Sequence, residues 1–148
     1  MVLAIAATIS CGGSPASSAT SASPIAVTTT ATVAVANNTK LGMILVDGSG
    51  RTLYLFQADT GSSSTCYGSC ATYWPPLLTN GAPKAGAGAN AALLGTTKRS
   101  DGTTEVTYAG HPLYHVVTDH NPGDATGQAV NNFGALWNAV GPDGKKIG

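Results

Sequence analysis

Thr52-Leu53-Tyr54-Leu55-Phe56-Gln57-Ala58-Asp59 and Pro112-Leu113-Tyr114-His115-Val116-Val117-Thr118-Asp119 spell one pattern twice: Leu-Tyr, four residues, Asp. Each copy follows a Gly-containing turn, and each has a Trp downstream, Trp74 and Trp137. The repetition reads as an internal duplication. It predicts one domain built from two related halves, and it names an architecture rather than a reaction.

The strands around the first copy set the fold class. Gly42–Asp47 and Arg51–Phe56 flank Gly48-Ser49-Gly50, the signature of a hairpin with a short loop. Both faces of both arms are largely apolar, as in strands placed centrally rather than at a solvated edge. Upstream, Thr32–Ala36 has the β-branched enrichment of a strand. Downstream, Cys66–Tyr73 lacks alternation and is stopped by Pro75 and Pro76, so it should form a compact turn that delivers Trp74 into the core.

Thr79–Ala92 is rich in Gly and Ala and reads as a surface loop. Leu94–Arg99 and Thr103–Tyr108 flank Ser100-Asp101-Gly102 as a second hairpin, and Ala109-Gly110 turns the chain into Pro112–Val117. Leu136–Val140 supplies the last strand, before the turn Gly141-Pro142-Asp143-Gly144. The expectation is a mainly β, mainly antiparallel domain over 31–148.

The 148 residues suit one domain of the common size, about 100–150 residues, with appendages. Seven basic and seven acidic residues balance, so no long-range field draws in a polyanion, and nucleic acid is not expected as a partner. No apolar run reaches the roughly 18 residues of a spanning helix. Residues 12–30 are dominated by Ser, Thr and Ala, with nothing to bury, and should act as a disordered tether reaching on the order of 25 Å.

Met1 to Cys11 resembles a bacterial lipoprotein signal, an apolar segment ending in small residues and a cysteine, with its basic start missing as though truncated. Thr8 stands where such signals usually carry Leu. The resemblance implies a lipid on Cys11 and a membrane as partner. Cys66 and Cys70 then remain as an even pair in an oxidising compartment. Their spacing admits a disulfide, half of a metal site or a redox pair. The disulfide is adopted, since a structural zinc takes four ligands and only two thiols are left.

The ordered pieces Leu41-Gly42-x-Ile44-Leu45-Val46-Asp47, Thr52-Leu53-Tyr54-x-Phe56-x-x-Asp59, Cys66-x-Gly68-x-Cys70-Ala71-x-x-Trp74-Pro75-Pro76-Leu77, Tyr108-x-Gly110-His111-Pro112-Leu113-Tyr114 and Trp137-x-x-Val140-x-Pro142-Asp143-Gly144 carry a family likeness, joined by Arg99-x-Asp101-Gly102 and Gly123-Asp124-x-x-Gly127-Gln128. Together they resemble predicted bacterial lipoproteins with a Tyr-x-(Phe/Trp/Tyr)-x-x-Asp motif, also described as a secreted repeat of unknown function. The second copy has Val116 where the first has Phe56, and it lacks the cysteine pair. What the family implies is an exported, often lipidated, repeat-built domain in the bacterial cell envelope.

Tyr54, Asp59, Tyr114 and Asp119 are the candidate motif or ligand residues, because they recur at equal spacing. Either each Tyr packs its ring and each Asp accepts backbone N–H groups, which holds the fold, or the four line a shared groove for a ligand. The structural reading is preferred. His111, His115 and His120 are weaker candidates for a metal: on an extended strand the first two lie about 13 Å apart. Asp119–Asp124 lacks the acidic spacing of a calcium loop. No nucleophile elbow, phosphate loop or zinc-protease motif appears, and no cofactor is implied. The expectation is a non-catalytic, lipid-anchored binding or interaction module for an envelope or extracellular ligand. The alternatives are a metal- or redox-linked envelope protein and a hydrolase assembled from distant residues.

Overall fold

The computed structural model describes Gly12 and residues 29–148. Cys11, the signal-like segment and all but the end of the tether, apart from Gly12, lie outside the described residues. The described chain is mainly β, in three three-stranded sheets that are antiparallel except for one pair.

β1 (Thr32–Asn38) and β2 (Gly42–Asp47) form the first hairpin, with Val35 opposite Leu45. This corrects the hairpin expected between Gly42–Asp47 and Arg51–Phe56. The turn is there, since Gly50 N–H reaches Asp47 C=O, but pairing across it is limited to a bridge between Val46 and Thr52. After Leu53 N–H donates to Leu45 C=O, the chain leaves and β3 (Tyr54–Phe56) pairs with β9 (Ala135–Ala139). The reason is the apolar load on both faces of this segment. Leu53 and Leu55 enter one core with Leu45, Val106 and Leu113, while Tyr54 and Phe56 enter another with Trp74 and Trp137. A plain hairpin arm would leave one of these faces in water, at roughly 1.5–3 kcal/mol for each large side chain.

The segment read as a surface loop is largely exposed, and within it β4 (Lys84–Ala85) runs parallel to β1. Gly86 N–H then donates to Val33 C=O, and Val35 N–H to Ala87 C=O. A Cβ on Gly86 would lie 2.9 Å from Ala34 Cβ, and one on Gly88 2.9 Å from Val35 Cβ. The glycines that suggested a loop are what allow this backbone to lie against the sheet.

β5 (Leu94–Lys98) and β6 (Thr104–Tyr108) form the expected second hairpin. Ala109 and Gly110, with φ of 50° and 80°, make a tight two-residue turn into β7 (His111–Pro112). A similar turn at Phe133-Gly134 joins β9 to β8 (Val130–Asn132), a strand that composition does not announce. The helical turn α1 (Ser69–Tyr73) ends at Trp74, which is fully buried.

The central strands of the two halves repeat one another's backbone bonds. Leu45 N–H donates to Val140 C=O and its C=O accepts from Leu53; Val106 N–H donates to Leu77 C=O and its C=O accepts from Leu113. Gln57 N–H reaches Leu136 C=O as Val117 N–H reaches Tyr73 C=O. The Trp rings of the two copies stack on each other at 4.0 Å and 3°, between the two half-motifs.

Candidate functional site

Tyr54 and Tyr114 face each other across the pseudo-twofold axis. The N–H of each donates to the C=O of the other at 2.9 Å. Alternation along the strand turns both rings to the same core, where Tyr54 meets Trp74 edge-on at 5.5 Å and Tyr114 meets Trp137 edge-on at 5.1 Å.

Their hydroxyls then cross over. Tyr54 donates to Asp119 Oδ2 and Tyr114 to Asp59 Oδ2, each at 2.6 Å. The tyrosine of each copy is thus bonded to the aspartate of the other. Each aspartate uses its second oxygen on its own downstream loop. Asp59 Oδ1 accepts Thr65 N–H and Thr65 Oγ1–H, both at 2.7 Å. Asp119 Oδ1 accepts Thr126 N–H at 2.8 Å and Thr126 Oγ1–H at 2.7 Å. A carboxylate is needed here because it alone offers acceptor sites to three donors with no proton in the way. Burial, joined by the neighbouring carboxylates, pushes both phenols above their ordinary range.

Beyond Tyr114 lies a group of residues that sequence reasoning missed. Tyr114 and Ser64 hydroxyls are 2.7 Å apart, and Arg99 donates to Ser64 Oγ at 2.8 Å, to Glu105 Oε2 at 2.8 Å and to Cys66 C=O at 2.6 Å. The Arg99 guanidinium also stacks on the Tyr67 ring at 4.4 Å. Arg99 and Glu105 are both sealed from solvent. Burial pushes the Glu105 carboxyl up to about 8, against the pull of Arg99 and with help from Asp59 and Asp101. Burial would lower the Arg99 pKa, but Glu105 outweighs it and raises it. The signal was present: Glu105 falls in a strand where the matching position of the first half is Ile44, a core residue.

Cys66 and Cys70 are joined by a disulfide that closes the turn leading to Trp74. His115 Nε2 lies 2.8 Å from Asp47 Oδ2, tying the second strand-end to the first turn. Burial works against the Asp47 carboxylate, but bonds from His115, Ser49 and the Arg51 N–H outweigh it and hold its pKa well below the ordinary value. His111 sits in the Ala109-Gly110 hairpin and His120 is exposed. Among the described residues no three His, Cys, Asp or Glu side chains come together as a metal site. A groove of about 500 Å³ is lined by Phe56, Asp59, His111, Lys145 and Lys146. Of the four motif side chains it touches only Asp59, and the other three are spent inside the core.

The fold and its crossed pairs define a class: a duplicated β domain whose repeated residues bind the halves to each other. The family model described as a secreted repeat of unknown function matches residues 35–78 and again 95–141, and the chain belongs to that family. No curated protein and no solved structure matches it. A secreted family supports an extracellular or envelope location. No helix among the described residues is long and apolar enough to cross a membrane.

Proposed function

We propose that this is a non-catalytic interaction module of the bacterial cell envelope, held to the membrane by a lipid on Cys11. The observation that supports it is the reciprocal bonding of Tyr54 with Asp119 and Tyr114 with Asp59. The residues the two halves repeat are committed to the scaffold, so contact with a partner falls to the surfaces the scaffold displays. Lipidation rests on the signal-like segment before Cys11 and on a Ser/Thr/Ala tract suited to hold the domain off a surface. Two acyl chains anchor durably where one is marginal.

Fractionation and intact-mass measurement of protein from its native envelope test both parts. The expected result is a diacyl mass on Cys11, membrane fractionation lost in Cys11→Ala, and a co-purifying partner kept by the released, folded domain. Unmodified Cys11 in the native host sinks the anchor. Turnover of a substrate that Asp59→Asn abolishes in a still-folded domain sinks the non-catalytic reading.

A further inference from the structure

The outer edges of the two hairpins are built alike and covered differently. Val35 lies opposite Leu45, whose N–H and C=O are engaged on its far side by Val140 and Leu53. Val35 therefore turns its own polar groups outward, and its N–H is taken by Ala87 C=O next to β4. Thr96 stands at the matching place. It lies opposite Val106, whose N–H and C=O are engaged by Leu77 and Leu113. Thr96 too must turn its N–H and C=O outward, with Leu94 and Lys98 in phase.

No strand among the described residues covers that side: β5 is the edge of its sheet. Thr96 and Lys98 are exposed, and a groove of about 300 Å³ runs along the edge, walled by Ala82, Pro83, Ala85, Ala91 and Gly95. An uncovered edge is a template for strand addition. Apart from Leu94 the walls are small side chains, and none carries a charge. The segment at the equivalent edge is Lys84-Ala85-Gly86-Ala87-Gly88, which approaches so closely that Gly86 and Gly88 have no room for a Cβ.

We propose that the β5 edge is a docking site for an extended, small-residue segment of another polypeptide, rich in Ala, Gly, Ser or Thr. The segment adds parallel to β5 as β4 adds to β1, with its backbone carbonyl accepting the Thr96 N–H. This goes beyond the envelope reading and stands on its own observation. Loss of the anchor leaves the edge unaffected, and failure at the edge leaves the anchored module intact.

The test uses the full chain, isotopically labelled, and a synthetic peptide of its own Pro83–Ala89 sequence as the probe. Saturable shifts of the Thr96 and Lys98 amides are expected, with slowed hydrogen exchange at Thr96. Thr96→Pro removes one outward N–H on an edge strand, a place where proline is tolerated. It should keep the amide spectrum of the rest of the domain and weaken the peptide about tenfold, the value of one backbone bond. Three results overturn the proposal: no response at Thr96 to millimolar peptide, unchanged affinity in Thr96→Pro, or a Thr96 amide already protected without peptide. Protection that grows with protein concentration would assign the edge to a second copy instead.

Discussion

After Asp59 and after Asp119 the chain makes the same turn, folding a loop back so that a threonine, Thr65 or Thr126, meets the carboxylate. The loops are then held by different means. In the first half, Ser64 and Cys66 are gripped by Arg99, itself paired with Glu105, and a disulfide closes the turn behind them. In the second, Ala125 and Gly127 stand at those places. Gly127 packs so tightly that a Cβ would fall 2.8 Å from the Trp74 ring, and Asn38 Nδ2 holds the loop by Gly123 C=O. One scaffold thus accepts either a buried Arg99–Glu105 hydrogen-bonded pair or close backbone packing at a single place. The crossed Tyr–Asp bonds, the same in both halves, are what the architecture requires.

The largest expected effect comes from breaking that difference. Arg99→Ala leaves three acceptors, Ser64 Oγ, Glu105 Oε2 and Cys66 C=O, without their donor and should cost about 3–5 kcal/mol in chemical denaturation. Asn38→Ala, its counterpart, removes neutral bonds and should cost about 1–2 kcal/mol. Equal losses would mean that the two loops are held alike. The same pair gives a pH signature. The folded Glu105 carboxyl holds its proton to about 8 where 4.5 is ordinary, so its contribution is fully present below about 4.5 and is lost as pH rises through 8. Stability should fall across that window and flatten in Glu105→Gln. Above pH 10 the two raised tyrosines add a further loss.

Next come the crossed bonds. Asp59→Ala and Asp119→Ala should each cost about 1–3 kcal/mol through buried donors left unpaired. Double-mutant cycles sharpen the point: Tyr54→Phe should couple to Asp119→Ala by at least about 0.5 kcal/mol and not to Asp59→Ala, although Asp59 is the nearer in sequence. Coupling within a copy rather than between copies would refute the crossed arrangement.

The duplication and its β class were legible because they rest on period and spacing. Leu-Tyr with Asp five residues after the Tyr, the two downstream Trp residues and the turns at Ser100-Asp101-Gly102 and Ala109-Gly110 survive without any tertiary knowledge. What escaped was partner choice. Nothing local in Thr52–Phe56 says that it abandons β2 for β9, because the decision is made by cores on both of its faces. The glycines of 79–92 marked a surface loop, and two of them, Gly86 and Gly88, are also sites of close approach to β1. Equal spacing marked the four residues but did not show that each Tyr bonds the Asp of the other copy. Arg99 and Glu105 look like surface charges until the halves are aligned and Glu105 falls on Ile44.

The disulfide should matter less than the crossed bonds taken together. Its loop is short, and the chain-entropy value is about 2 kcal/mol at most. Cys66→Gly with Cys70→Ala copies the Gly127 arrangement and should cost no more than that, while the Trp74–Trp137 stack persists in near-ultraviolet dichroism. Thiol labelling without reductant should find neither Cys66 nor Cys70 in exported protein.

The smallest effect belongs to His115. Its partner Asp47 is also held by the Ser49 N–H and hydroxyl and by the Arg51 N–H, all from its own turn. The turn of the first half is therefore self-sufficient, as the two-residue turn at Ala109-Gly110 is in the second. His115→Ala should cost about 1 kcal/mol, the value of one hydrogen bond, because Asp47 keeps its three other donors. Asp47→Ala removes the acceptor for the whole turn and should cost more than His115→Ala. Because the folded Asp47 pKa lies below its ordinary value, its contribution is present above about 4 and is lost as pH falls. Wild type and His115→Ala should converge on acidification, when the carboxylate takes up its proton. If His115→Ala equals Asp47→Ala, the contact between halves, rather than the local turn, is what holds Gly48–Gly50 in place.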